Sequence, residues 1–227
     1  MPANVARQIV QSDLVGRIVR EPLYDTETMV NATYNELTFF SRPQGQNNNS
    51  AAVKTIRDTN LTQANQLGVP NAHLLMGFQV NIIDAVVTAG GADLDPETYI
   101  SYQRDLRAWG VFEFGLSGKT IFEIPLSEIP QGLGPIGFTT QTAATLADVH
   151  NVSYGAQRSN SYYTAKVPTR ALGLFGASSP EMAGYLMIGS STPITCKIRF
   201  NPGFVAAATD TITLQVRLIG VRQKAIG

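Results

Sequence analysis

The residues whose types and spacing could do chemistry are few in this 227-residue chain. Each also has a plainer use. Gly132-Leu133-Gly134-Pro135-Ile136-Gly137 matches the G-x-G-x-x-G of a dinucleotide loop. That chemistry needs a strand directly before the glycines and a helix N-terminus after them to receive a pyrophosphate. Here Pro130 precedes, Pro135 interrupts and FTTQT follows, so the stretch reads as a loop built from turn residues. Metal sites need clustered His, Cys or carboxylates. The two histidines, His73 and His150, have no partner at ligand spacing. Asp93, Asp95 and Glu97 could hold calcium, but an Asp95 cap and a Glu97 near the positive helix end explain them more simply. Glu113 and Glu123 share a face of one hairpin, as paired carboxylates for glycoside hydrolysis would. The hairpin's aromatics lie on its opposite face, so salt-bridged or solvated glutamates are expected. Cys196 falls on the inward face of an alternating strand and reads as a small buried apolar residue. Tyr162, Tyr163 and Arg158 suggest either a stacking platform or a pair packed from loop to strand. No serine lies in a nucleophile elbow. No enzyme activity, cofactor or metal is expected.

The totals point the same way. Hydrophobic residues make up 44% and charged residues 15%, against a usual charged share of roughly 25%. Low charge with many amides, threonines and glycines suits a surface covered by neighbours. Seventeen basic residues balance seventeen acidic ones, so no overall electrostatic drive toward nucleic acid exists. One cysteine excludes an internal disulfide framework. The first fifteen residues lack the apolar run of a secretory signal. The four N-x-S/T sequons, at Asn31, Asn48, Asn60 and Asn151, then read as chance in an Asn/Thr-rich chain.

The elements follow from hydrophobic periodicity. Residues 1–22 form an opening arm, closed by Pro22. Its Arg7, Arg17 and Arg20 are candidates for contact with a neighbouring subunit or an anionic inner-face partner; packing on the domain's own edge is the plainer reading. Strands are expected at 36–41, 73–83, 109–115, 119–125, 162–167, 184–189, 194–200 and 211–221. Leu74, Met76, Phe78, Val80 and Ile82 should share one face. Residues 53–69 read as an ordered connection. Asp95-Pro96-Glu97 opens a helix running to about Arg107, with Tyr99, Tyr102 and Leu106 on its apolar stripe. In the hairpin, pairing Gly115 with Lys119 sets Phe112 opposite Phe122 and Phe114 opposite Thr120. Gly132–Thr169 is a long connection that suits an interface loop, with Tyr154, Arg158, Tyr162 and Tyr163 as candidate contacts. Thr142–Val149 could add a short helix.

These elements predict an all-β chain: an antiparallel β-sandwich, a single jelly roll of about eight strands with one short helix in a crossover. Residues 23–227 would form that one domain. An immunoglobulin-like sandwich is the runner-up, without the Cys pair that would flank Trp109.

Leu23–Met29 leading to Leu37–Phe40, then Asp58–Leu67, Gly77–Ile83 and GLSGKTIFEIPLSEIPQG, in this order, resemble the jelly-roll major capsid (coat) proteins of tailless icosahedral bacteriophages. The resemblance spans residues 23–222. It implies a structural virion protein that self-assembles through loop and arm contacts into trimers or capsomers, then into an icosahedral shell. Copies of itself, and other virion proteins, would be the partners. Nucleic acid or membrane would lie at the inner face, and the location would be the virion, assembled in the host cytoplasm. The alternative is a carbohydrate- or receptor-binding β-sandwich, a spike or lectin-like module. It would need exposed aromatic and acidic groups around Tyr154–Tyr163.

Overall fold

The computed structural model describes residues 16–69, 71–87, 94, 96–129, 162–165 and 185–225. In chain order the elements are β1 (Gly16–Val19), β2 (Leu23–Phe39), β3 (Ala72–Val87), α1 (Pro96–Trp109), β4 (Gly110–Leu116) and β5 (Lys119–Pro125). A short 3-10 turn (Leu126–Glu128) follows, then β6 (Tyr163–Thr164), β7 (Leu186–Ile188) and β8 (Ile194–Ala225). Every ladder between these strands is antiparallel. The expected all-β antiparallel sandwich with a helix in a crossover is therefore present.

One strand belongs to both layers. Along one edge β8 pairs with β1 and β2. Along the other, Ile194–Phe200 pairs with β4, and residues 210–223 pair with β3. The first layer is thus the end of β2, the start of β8, β4 and β5. The second is the start of β2, the end of β8 and β3, with β6 and β7 beyond. The turn from one layer to the other has a local cause. Val30 faces Thr211 while Ala32 faces Ala206, and Tyr34 faces Phe204 while Glu36 faces Arg199. The surplus residues lie on β8 at both slips. Such bulges bend and twist a strand pair.

The core fills the angle between the layers. Ile194, Cys196, Ile198 and Phe200 point inward from one half of β8, and Ile212, Leu214, Val216 and Leu218 from the other. Phe78 of β3 meets Phe112, Phe114 and Phe122 across the gap, with ring centroids 4.9, 5.3 and 5.2 Å apart. Helix α1 seals the bend. The Tyr102 hydroxyl donates to Asp210 Oδ2 at 2.6 Å and accepts from the Ala207 amide at 3.2 Å. These contacts satisfy polar groups in the bulged stretch. Burial is the main cause that raises the Tyr102 pKa, helped by Asp210.

Several expectations need correction. Residues 194–200 and 211–221 belong to one 32-residue strand, because the Asn201-Pro202-Gly203 stretch bulges and does not break it. A short strand, β1, precedes the one expected at 36–41, and that one is the end of β2, which starts at Leu23. Helix α1 continues to Trp109, and β4 starts at Gly110. The hairpin register pairs Phe112 with Ile124 and Phe114 with Phe122, then slips so that Gly115 faces Thr120. The tight turn is Ser117-Gly118, both in the left-handed region at φ 51° and 78°. In β3 a bulge between Leu75 and Gly77 reverses the alternation. Leu75, Phe78, Val80 and Ile82 are buried, while Leu74 and Met76 are half-buried. An added Cβ at Gly77 would stand 2.3 Å from the Tyr163 carbonyl oxygen, so only glycine fits beside β6.

Phe78→Ala should destabilise the protein by about 3–5 kcal/mol in denaturant titrations, since the ring joins both layers. A loss below about 1 kcal/mol would contradict that packing.

Candidate functional site

The first stretch of β2 reads Leu23, Asp25, Glu27, Met29 on its inward face, opposite Leu218, Val216, Leu214 and Ile212 of β8. All eight side chains are fully buried. Two carboxylates thus stand on an apolar floor, a placement that is costly unless they are paired. The connection from Phe40 to Gly68 folds back over them and brings Lys54, also fully buried. Lys54 Nζ lies 2.8 Å from Asp25 Oδ1 and 2.7 Å from Glu27 Oε1. The remaining carboxylate oxygens are also held. Asp25 Oδ2 accepts from the Phe40 amide at 2.6 Å. Glu27 Oε2 accepts from Arg42 at 3.1 Å and from the Asn49 amide at 3.2 Å. Lys54, Arg42, Asp25 and Glu27 sum to zero charge, as a dry site requires.

Local backbone builds this cover. Lys54 and Gln46 exchange backbone bonds with their neighbours, Gly45 N to Lys54 O at 2.9 Å and Lys54 N to Gln46 O at 2.8 Å. One turn closes at Thr55–Thr59, and Thr59 bridges to Asp25. Phe40 has φ 63°, a left-handed conformation uncommon for a bulky residue. It turns the chain out of β2 and aims its N–H at Asp25. Burial raises the Asp25 carboxyl to about 6, opposed by Lys54 and the Phe40 amide. Nearby, burial pushes the Cys196 thiol well above its ordinary value, and the Asp25 charge adds to this. The thiol is a packing residue.

The sheet's other charged group is a ladder. Lys197 lies 3.0 Å from Glu36 and 3.3 Å from Glu113. Arg199 pairs with Glu113, and with Glu123 at 2.9 Å. The hydrogen bond to Glu36 is the first cause that raises Lys197. Glu113 and Glu123 face each other directly across the hairpin. Both are engaged by cations, Glu113 buried and Glu123 exposed, which is an ion-paired ladder rather than a pair of free acids.

The other candidate residues are scattered. Arg17 lies in β1, paired with Lys224, so Gly16–Val19 extends the domain's own sheet. Arg20 is exposed in the link to β2. Tyr163 stacks on Phe78 at 6.5 Å, and the Tyr162 ring lies against Gly77. Both tyrosines are half-buried. Arg7, Tyr154, Arg158, the 132–137 glycine loop, the 142–149 helix, His150, Asp93 and Asp95 lie outside the described residues. Among the described residues, no group of three His, Cys, Asp or Glu side chains could hold a metal. No described helix is long and apolar enough to cross a membrane. A cavity of about 20 Å³ between β3 and α1, lined by Val80, Ile82 and Leu106, has room for a water.

The buried lysine cluster escaped the sequence reading. Its signal was the i, i+2 spacing of Asp25 and Glu27 between Leu23 and Met29, which places acids on a core-facing row. No protein-family model, curated protein or solved structure matches this chain.

Removing one partner of a buried cluster leaves unpaired charge, whereas an exposed pair contributes little. Lys54→Met should therefore cost about 3–5 kcal/mol in chemical denaturation, and Arg199→Ala at most about 1 kcal/mol. Equal losses would contradict the difference in burial. A second test concerns His73, whose ring lies over Gly220, where an added Cβ would come within 2.7 Å of Nε2. Burial lowers His73 to about 4, and the Arg222 charge adds to this. The folded chain then binds fewer protons than the unfolded chain between about 6.5 and 4, so stability falls as pH drops through that window. Asp25 acts in the opposite sense, so the difference between variants is the readout. Relative to His73→Gln, the wild type should lose about 3 kcal/mol from pH 7 to pH 4; parallel curves would contradict a neutral buried imidazole.

Proposed function

We propose that this chain is a structural coat protein that self-assembles into an icosahedral virion shell. The observation that carries the reading is the surface of the connection between β2 and β3. Val53, Ile56 and Val69 are 57%, 70% and 72% exposed there. The same connection carries the uncharged polar Gln46–Ser50, Gln63, Asn65 and Gln66, with the exposed Arg57 next to Ile56. Exposed apolar groups on an amide-rich segment suit contact with another protein surface. The same connection is anchored underneath by Lys54, so it is presented on a rigid base. Rigid presentation lowers the ordering cost of association.

Partners on this reading are copies of the same chain, joined by repeated contacts around symmetry axes, and other virion proteins. The exposed Arg20, with Arg7 and Arg17 of the opening segment, would approach an anionic inner-face partner. Net charge gives no broader drive toward nucleic acid. A shell protein needs no reaction, which fits paired or buried carboxylates. The half-buried Tyr162 and Tyr163 give the carbohydrate-binding alternative little exposed ring surface.

Light scattering and negative-stain imaging of purified protein should reveal trimers or large closed particles. Ile56→Asp combined with Val69→Asp should release protomers with unchanged circular dichroism. A wild type that stays monomeric at every salt concentration would refute the proposal, and glycan binding by that monomer would support the alternative.

A further inference from the structure

We propose that Lys54 and Asp25 condense into an isopeptide bond between Nζ and Cγ, with Glu27 carrying the proton and the Phe40 N–H holding the carbonyl oxygen. The parts are in place for that reaction. The nucleophile and the electrophile lie in one fully buried pocket, with Nζ 2.8 Å from Oδ1, one bond from the carbon to be attacked. Fixed proximity of this kind replaces a bimolecular encounter and can be worth many powers of ten in rate. Glu27 Oε1 is 2.7 Å from the same Nζ, within reach to take and return a proton. The Phe40 N–H, 2.6 Å from Oδ2, is aimed where negative charge develops in a tetrahedral intermediate.

Two acids touch Lys54, and the structure distinguishes them. Glu27 Oε2 is occupied by the Arg42 cation and a second N–H, while its Oε1 faces Nζ. Asp25 has no cation besides Lys54 among its named contacts, and its elevated carboxyl pKa makes the protonated, electrophilic form accessible.

The step balances. The ammonium of Lys54 passes one proton along its hydrogen bond to Asp25 Oδ1, leaving a neutral amine and a neutral acid. The neutral amine attacks Cγ, forming the C–N bond. The nitrogen gives its second proton to Glu27 Oε1, which returns it to the Oδ1 hydroxyl as the Cγ–Oδ1 bond breaks and water leaves. An ammonium and a carboxylate become a neutral amide and one water. The Glu27–Arg42 pair remains, so the pocket stays neutral with two fewer charges to desolvate. The bond would tie β2 covalently to the connection that covers it.

Intact mass spectrometry of denatured wild-type protein tests this. The 24.5 kDa chain should run lighter than its linear sequence by one water, about 18 Da. Digestion should yield a branched peptide joining Asp25 to Lys54. Glu27→Gln, which keeps the side chain's shape but removes the proton carrier, and Lys54→Met should both return to the full linear mass. The wild-type measurement decides even where a variant fails to fold. A folded wild type at full linear mass, or a water lost without the branch between these residues, would overturn the proposal.

Discussion

The structure depends on one strand being shared. A sandwich normally has two sheets joined by loops. Here β8 runs through both layers, and β2 follows it along one edge. The two bulges opposite Asn31 and Asn35 reconcile a continuous strand with a folded-over sheet. Packing alone could not hold that bend, because the bulged stretch carries unpaired backbone groups. The Tyr102 hydroxyl, reaching from α1 to Asp210 and the Ala207 amide, meets part of that need. The crossover helix is thus a brace for the bend, which is also why its apolar stripe is narrow.

Sharing β8 leaves the start of β2 at an edge, with core residues facing an open side. The Phe40–Gly68 connection closes it, bringing Phe40, Leu61 and Leu67 into the core. The Lys54 cluster lies beneath that cover. An ion group in a dry site is weak evidence for stability, since desolvation offsets the attraction. Its effect is on specificity of position: only one placement of the cover satisfies Asp25, Glu27 and Lys54 together. A connection of this length with little regular structure is then fixed on its inner side and free to offer apolar groups on its outer side.

The fold class was legible because alternation in Ile194–Phe200 and Thr211–Gly220 has no helical reading. The helix was legible from its start signal and the Tyr99, Tyr102, Leu106 stripe. Part of what was hidden has one cause. Bulges at Leu75/Gly77, Ile82/Asp84 and Phe114/Gly115 each reverse or shift alternation, and composition does not mark them. The face of Leu74 and Met76 and the register of Phe112 were misread for that reason. The start of β2 was hidden because acids occupy its inward positions. Leu23–Met29 lacks the apolar alternation that defines a strand, and Lys54, the group that makes those acids tolerable, lies 27 residues beyond Glu27. Pairings over such distances are tertiary facts.

On the proposed coat reading, the sandwich carries its contact surface on the rigid Phe40–Gly68 cover. Hydrogen–deuterium exchange on assembled particles and on dissociated protomers tests that union most directly. The predicted result is equally slow exchange of the β8 amides in both states, with protection added on assembly concentrated in residues 51–69. Added protection that bypasses 51–69, or β8 amides that become slow only on assembly, would contradict it.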